Sequence, residues 1–166
     1  MYRSMQDFLD DWEAESQLTI NLFKSLTNES LYQKIVEDGR NLGFLAWHIT
    51  ATISETLNKT GLKIPGPLED SDPPNNVEDI IKTYQTSSDA LIEEVGTKLD
   101  DKSLDDELEL YGERWKRHQV FDMLIKHQIH HRGQMTVLMR QAGLKLPGIY
   151  GPSKDDWIAM GATPLK

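Results

Sequence analysis

The longest helical pattern in the chain is WKRHQVFDMLIKHQIHHRGQMTVLMRQA, residues 115–142. Its apolar side chains recur every three or four residues, the spacing that places them on one face of an α-helix. Gly143 follows the last turn, where glycine is favoured because it tolerates a left-handed backbone. The stretch therefore predicts one long amphipathic helix. Its inward stripe comprises Val120, Leu124, His131, Met135, Leu138 and Ala142, with His127 and Gln134 at the border.

The same periodicity predicts three more helices, at about 4–26, 41–60 and 76–98. Ser4 and Asp7 have the spacing of a capping box at the start of the first helix. Residues 107–111 alternate polar with apolar side chains, which indicates a short strand or hairpin before the long helix. The tail after Gly143 is rich in glycine and proline and is expected to be irregular. Four amphipathic helices with little strand signal predict an all-α four-helix bundle, with residues 1–166 forming a single domain.

The connection between the second and third helices is rich in proline and glycine over residues 61–76. This composition opposes a helix and leaves the chain extended. At about 3.3 Å per residue the segment can run the full length of a bundle. A crossover between parallel helices and a loose hairpin are therefore both open from the sequence.

Composition excludes several functional classes. Lys and Arg total 18 against 27 Asp and Glu, so the formal net charge is −9, which repels a nucleic-acid backbone. The chain has no cysteine, which excludes disulfides, thiolate ligands and a cysteine nucleophile. No apolar run approaches the roughly 18 residues of a membrane span, and the acidic N-terminal stretch is unlike a secretory signal. We therefore expect a cytoplasmic protein without membrane or nucleic-acid partners.

Three histidines fall where a core is expected. His127 and His131 are four residues apart, which on a helix means about 40° of rotation and about 6 Å of rise, so both rings can reach one ion. In the second helix, His48 flanks the inward stripe. Such spacing also occurs by chance, and a border histidine is commonly just hydrogen-bonded. However, buried polar groups cost a few kcal/mol unless they are satisfied, which favours a shared metal ion.

Three segments together resemble one known family. They are HQIHHRGQ at 127–134, GFLAWHI at 43–49 and GLKLPGIYGP at 143–152, and the chain resembles the DinB/YfiT-like family of metalloenzymes over nearly its whole length. The resemblance implies a four-helix bundle that binds one divalent metal ion through His48, His127 and His131. Characterised relatives include transferases and isomerases that use bacillithiol, mycothiol or glutathione. A low-molecular-weight thiol is therefore implied as a co-substrate, alongside a small-molecule substrate.

Two further side chains are weaker catalytic candidates. Gln134 lies one turn beyond His131 and can orient a ligand, or simply pack between helices. Glu55 follows His48 by seven residues, about 10.5 Å along the helix, which is too far for it to ligate the same ion. A general base at the cavity mouth is one role for Glu55, and a solvated surface carboxylate is the other.

The remaining polar and aromatic candidates are expected to have structural roles. His130 projects about 100° from His131, which favours a surface hydrogen bond over metal binding. His118 is expected to be exposed, and Arg132 and Arg140 to be surface arginines, as most helical arginines are. Binding of an anionic substrate is the alternative role for Arg132 and Arg140, and Arg40, just before the second helix, is no better supported in that role. Large aromatic side chains usually serve packing, so Trp47 and Trp115 are expected in the core.

The function predicted from these observations is a metal-dependent enzyme that activates water or a thiol for transfer to an electrophile. Zinc, nickel, iron, cobalt and manganese all suit three imidazoles with open coordination positions. One alternative is a non-catalytic stress protein that binds a metal ion or small molecule. Another is a metal-free structural or interaction bundle, for which exposed helical faces would permit a homodimer.

Overall fold

The computed structural model describes residues 2–164 and shows a helical bundle with one small hairpin. Five α-helices and two antiparallel strands are joined by loops and two short 3₁₀ turns, Glu29–Tyr32 and Asp101–Asp105. The long helices confirm the predicted all-α architecture, and the hairpin occupies the predicted place before the last long helix. The elements are α1 (Met5–Phe23), α2 (Leu42–Asn58), α3 (Val77–Lys98), β1 (Glu107–Leu110), β2 (Glu113–Lys116), α4 (Arg117–Gln141) and α5 (Lys154–Ala159).

Side-chain caps determine where the helices begin. Ser4 accepts a hydrogen bond from the backbone N–H of Asp7, whose carboxylate in turn accepts from the Ser4 N–H, so the predicted capping box is confirmed. Asn41 caps α2 through the N–H of Phe44 at 2.8 Å. These bonds satisfy donors that the first helical turn leaves without an intrahelical partner.

The four long helices form a square in which α1 packs against α3 and α4, and α2 packs against the same two helices. Phe8 of α1 stacks on Phe121 of α4, with ring centroids 3.9 Å apart. On the α3 side, the buried Trp12 indole donates to Ser88 Oγ at 3.0 Å. The predicted apolar stripes thus meet in one continuous core.

The order of contacts along the helices settles the topology. From the Phe8–Phe121 contact to the Glu15–Arg132 contact the residue numbers rise in both helices, so α1 runs parallel to α4. From the Trp12–Ser88 contact to the Phe23–Tyr84 contact the residue number rises in α1 and falls in α3, so these two helices are antiparallel. The His48–His127 and Thr60–Arg117 contacts make α2 antiparallel to α4. It follows that α2 and α3 are parallel, and the crossover is the topology that forms.

The crossover segment runs along the groove between α2 and α3. Ser87 Oγ donates to the Pro65 carbonyl at 2.7 Å, and the Trp47 indole donates to Ser71 Oγ at 3.0 Å. At Gly66 an added Cβ would lie 2.2 Å from Ser54 Oγ, so only glycine allows the segment to approach α2 this closely. Trp47 is half-buried beneath this segment and packs on the core edge.

Three expectations about individual residues are corrected by the structure. Arg132 is 1% exposed and pairs with Glu15 of α1, so it is not a surface arginine. His118 is also buried, because the start of α4 packs against the end of the bundle. The tail is irregular except for α5, and Tyr150 reaches back to donate to Glu15 Oε2 at 2.8 Å. Within residues 2–164, no helix has the length and apolar character needed to cross a membrane.

Candidate metal centre

The three predicted histidines come together between α2 and α4. His127 Nε2 lies 3.1 Å from His48 Nε2 and 3.1 Å from His131 Nε2. One turn of α4 brings the last two rings onto the same side, and the antiparallel packing of α2 brings His48 opposite them. Three imidazole nitrogens therefore face one small volume, with His131 buried and the other two half-buried.

The donor set fits a divalent cation. Metal–nitrogen bonds are about 2.0–2.1 Å, so two nitrogens that bind one ion at roughly 95–105° lie about 3.0–3.3 Å apart. Both 3.1 Å separations fall in this range. Without a cation, His127 Nε2 carries either a proton or a lone pair along one direction, and it cannot form good hydrogen bonds to both neighbours. A shared cation would satisfy all three lone pairs together.

The protonation states also suit a cation. Burial and the neighbouring His131 and His48 lower the pKa of His127 to about 4. Burial likewise lowers the pKa of His48 and of His131. All three rings are therefore neutral at pH 7, and a neutral imidazole has the lone pair that a metal ion requires.

Gln134 orients His131 from outside the triad. Its Oε1 lies 2.8 Å from His131 Nδ1, and its Nε2 lies 3.0 Å from His130 Nε2. With the amide in this orientation, His131 Nδ1 is the donor, which leaves the lone pair on Nε2 toward the triad. His130 is exposed and makes the surface hydrogen bond expected of it.

Glu55 lies among other partners. Its carboxylate accepts from Tyr111 Oη at 2.7 Å and pairs with Lys59, one turn along α2. None of its hydrogen bonds reaches the triad, so the structure gives no support for Glu55 as a base at the histidines. The hydrogen bond from Tyr111 instead ties the turn of the hairpin to the end of α2.

A second row of α4, which the sequence reading missed, holds a buried polar network. Gln128 is fully buried, and its Oε1 accepts from Tyr84 Oη at 2.7 Å and from Thr19 Oγ1 at 3.1 Å. Arg132 donates to Thr19 Oγ1 at 3.0 Å and pairs with Glu15. The sequence does indicate that Gln128 and Arg132 are buried, because both lie on the apolar stripe of α4 that faces α1. This stripe comprises Phe121, Ile125, Gln128, Arg132, Met135 and Met139.

Comparison with known proteins agrees with the fold and identifies the family. The sequence model described as DinB family matches residues 1–163. The chain belongs to the DinB family. A Bacillus subtilis strain 168 relative, named uncharacterized protein YrdA, is 40% identical over 166 residues, covering 100% of this chain and 99% of that protein.

Two solved structures of DinB-like proteins have a fold similar to that of this chain. The crystal structure of a DinB-like protein from Bacillus cereus ATCC 10987 matches with a TM-score of 0.87 and 39% identity, covering 90% of this chain and 100% of that one. A DinB-like protein from Bacillus subtilis, YjoA, matches with a TM-score of 0.60 and 19% identity, covering 86% of this chain and 97% of that one. The second match supports the fold alone, whereas the first supports the family as well.

Proposed function

We propose that this DinB protein is a metal-dependent enzyme in which His48, His127 and His131 hold one divalent cation. Its reaction is the transfer of an activated water or low-molecular-weight thiol to a small electrophile. The observation that carries the proposal is the convergence of three imidazoles, whose candidate ligand atoms lie within 4.8 Å of one another, with His127 Nε2 3.1 Å from the Nε2 atoms of both His48 and His131. The DinB membership supports it, because the resemblance to that family implies a divalent metal ion bound through these three histidines, which the fold brings together.

The number of protein ligands favours catalysis over a purely structural metal site. Structural zinc sites are usually closed by four protein ligands, whereas catalytic sites have three and an open position. The cluster contains three histidines, and within residues 2–164 no carboxylate joins it. Its donor set matches the catalytic class. Imidazole donors suit zinc, nickel, iron, cobalt and manganese, so the identity of the bound ion has to be measured.

The side chains around the triad hold its three histidines in the orientation that metal binding requires. When bound, a divalent cation lowers the pKa of a coordinated water or thiol toward neutrality. Gln134 holds the His131 tautomer, and the packing of α2 on α4 keeps His48 opposite that ring. Since the chain has no cysteine, the thiol of a transfer reaction comes from a bound small molecule.

A thiol-transfer assay tests the proposed reaction. The purified chain is loaded separately with Zn²⁺, Ni²⁺, Mn²⁺, Fe²⁺ and Co²⁺, and the loss of glutathione, bacillithiol or mycothiol is followed with a chromogenic aryl halide. Hydrolysis of activated esters is followed in parallel as the water reaction. We expect turnover with at least one metal, loss of turnover with EDTA, and loss in His131→Ala.

The matched control is His118→Gln, which removes an imidazole from the same helix at a distance of about 13 residues, or roughly 20 Å of helix, from His131. This variant should keep its metal ion and its activity. A chain that retains stoichiometric metal but catalyses neither reaction would contradict the enzyme proposal and favour the non-catalytic binder. A rate that is unchanged in His131→Ala would contradict the role of the triad.

A further inference from the structure

A cavity of about 450 Å³ lies beside the triad, between the loop that precedes α2 and the outer face of α4. Its volume is within the usual range of small-molecule sites, roughly 300–1,000 Å³. Most of its lining is aliphatic. The walls are formed mainly by Ile35, Val36, Leu45, Val137 and Leu138, with the polar groups of Arg40 and Gln134 between them.

The aliphatic wall is unusually exposed. Ile35 is 65% exposed, Val36 57% and Val137 48%, although all three line the same cavity. Branched aliphatic side chains that cluster around a concave surface gain free energy when an apolar group covers them. The wall therefore fits a ligand with an aliphatic portion.

The polar groups connect this cavity to the histidines. Gln134 lines the cavity and also contacts His131 Nδ1 at 2.8 Å. The Arg40 guanidinium lies 4.7 Å from the centroid of the Phe44 ring, which in turn stacks on the His48 ring at 5.8 Å. Gln134 thus connects the polar side of the cavity to His131, and Phe44 connects Arg40 to His48.

Arg40 has its charge available for a ligand. No carboxylate within residues 2–164 pairs with this guanidinium, even though the chain has a net charge of −9. Its head group is held over Phe44 by a cation–π contact, which leaves the guanidinium N–H groups free to donate. A guanidinium presents paired donors that match the two oxygens of a carboxylate.

We propose that this cavity binds a small aliphatic carboxylate, with the alkyl chain against Ile35, Val36 and Val137 and the carboxylate on Arg40. This inference rests on the proposed function, because the carboxylate and alkyl chain would be the parts by which the protein holds the electrophile that the metal site would act on. Among the described residues, 2–164, Arg40 is the only cationic side chain lining the cavity, so its charge matches a monoanion rather than a dianionic phosphate.

A binding titration with defined probes tests this proposal separately from catalysis. Hexanoate, butanoate and hexanol are titrated into ¹⁵N-labelled protein, once with Zn²⁺ and once with EDTA, and the amide shifts of Val36, Gln134 and Val137 are followed. We expect saturable shifts with hexanoate in both forms. Each buried methylene should raise the binding affinity about fourfold, so butanoate, which is two methylenes shorter, should bind roughly 15-fold more weakly.

Two arginine variants supply the specificity test. Arg40→Met keeps the length of the side chain but removes the charge, and it should weaken hexanoate binding roughly tenfold while leaving hexanol unaffected. Arg140→Met is the matched control, because Arg140 is an exposed arginine of α4 that does not line the cavity. It should leave hexanoate affinity unchanged. Since Arg40 is also exposed, neither change disturbs the core.

The remaining outcomes separate the two proposals. Hexanoate binding that depends on Arg40 in a chain that holds no metal would support the cavity and contradict the metal enzyme. A chain that holds metal but shows no saturable hexanoate shifts would overturn the cavity proposal alone. Binding seen only with Zn²⁺ and unchanged in Arg40→Met would also overturn it, because the carboxylate would then be a simple metal ligand. If the amide shifts instead change with protein concentration in the absence of any probe, a second copy of the chain covers the aliphatic wall. That result would also overturn the cavity proposal.

Discussion

Breaking the buried ion pair between Glu15 and Arg132 should strongly destabilise the bundle, and replacing Glu15 tests this. The Arg132 side chain is 1% exposed and that of Glu15 10%. Besides the carboxylate, Arg132 donates to the Glu15 carbonyl at 2.6 Å, to Thr19 Oγ1 at 3.0 Å and to Tyr150 Oη at 2.6 Å. Glu15→Leu keeps similar volume but leaves a buried guanidinium without its counter-charge.

The expected cost follows from that burial. Removing one partner of a buried pair usually costs about 3–5 kcal/mol, because the remaining charge stays out of water. For a chain of this size, each kcal/mol shifts the melting temperature by about 2–4 °C, so Glu15→Leu should lower it by about 6–20 °C. In the double variant Glu15→Leu, Arg132→Met neither charge remains, and most of the loss should be recovered. Apolar replacements of buried pairs are often neutral or stabilising.

Urea unfolding of metal-free protein, followed by far-ultraviolet circular dichroism, gives the four free energies of this double-mutant cycle. Glu13→Leu is the matched control, because Glu13 is an exposed residue of the same helix and should change the unfolding free energy by less than about 0.5 kcal/mol. The reasoning would be refuted if Glu15→Leu cost under about 1 kcal/mol, or if the double variant lost the sum of the two single losses.

Four further predictions concern the triad and the core. Gln134→Ala should weaken metal binding about 10- to 100-fold, because His131 loses the partner that fixes its tautomer; competition with a chromophoric chelator measures this, and an unchanged Kd would count against it. Metal affinity should change little above about pH 6.5 and fall between there and pH 4, since protons compete for His48 and His131, whose pKa burial lowers below 6.5, and for His127, whose pKa burial lowers to about 4. Over the same window the metal-free protein should lose stability as pH falls, because the unfolded state, with histidine pKa near 6.5, binds more protons; urea titrations at several pH values would show a flat profile if this is wrong. Tyr84→Phe should lower the unfolding free energy by about 1–2 kcal/mol through loss of the hydrogen bond to Gln128, and an unchanged urea midpoint would contradict this.

The helices and the three histidines could be predicted because both depend on local sequence. Helical periodicity places side chains on one face whatever the tertiary fold, so His127 and His131 had to point the same way. His48 was placed by the stripe of its own helix together with the family resemblance. The capping box at Ser4 is a local feature as well, and it forms as predicted.

The path of the crossover and the second polar row could not be predicted in the same way. An extended segment of this length can connect parallel or antiparallel helices, and the choice depends on contacts such as Ser87 with Pro65 that are distant in sequence. Arg132 looks like a surface residue until α1 supplies Glu15 opposite it. The cavity beside Arg40 likewise exists only because the loop before α2 folds against α4.

Metal content, measured by inductively coupled plasma mass spectrometry on untagged protein purified without a metal-affinity resin, tests the central claim most directly. Wild type, the double variant His127→Ala, His131→Ala and the control His118→Gln are compared, each before and after incubation with zinc, nickel or manganese and removal of excess ion. We predict close to one divalent ion per chain in wild type and in the control, and none in the double variant. Wild-type protein that retains no ion after loading, or a double variant that retains as much as wild type, would contradict the metal centre.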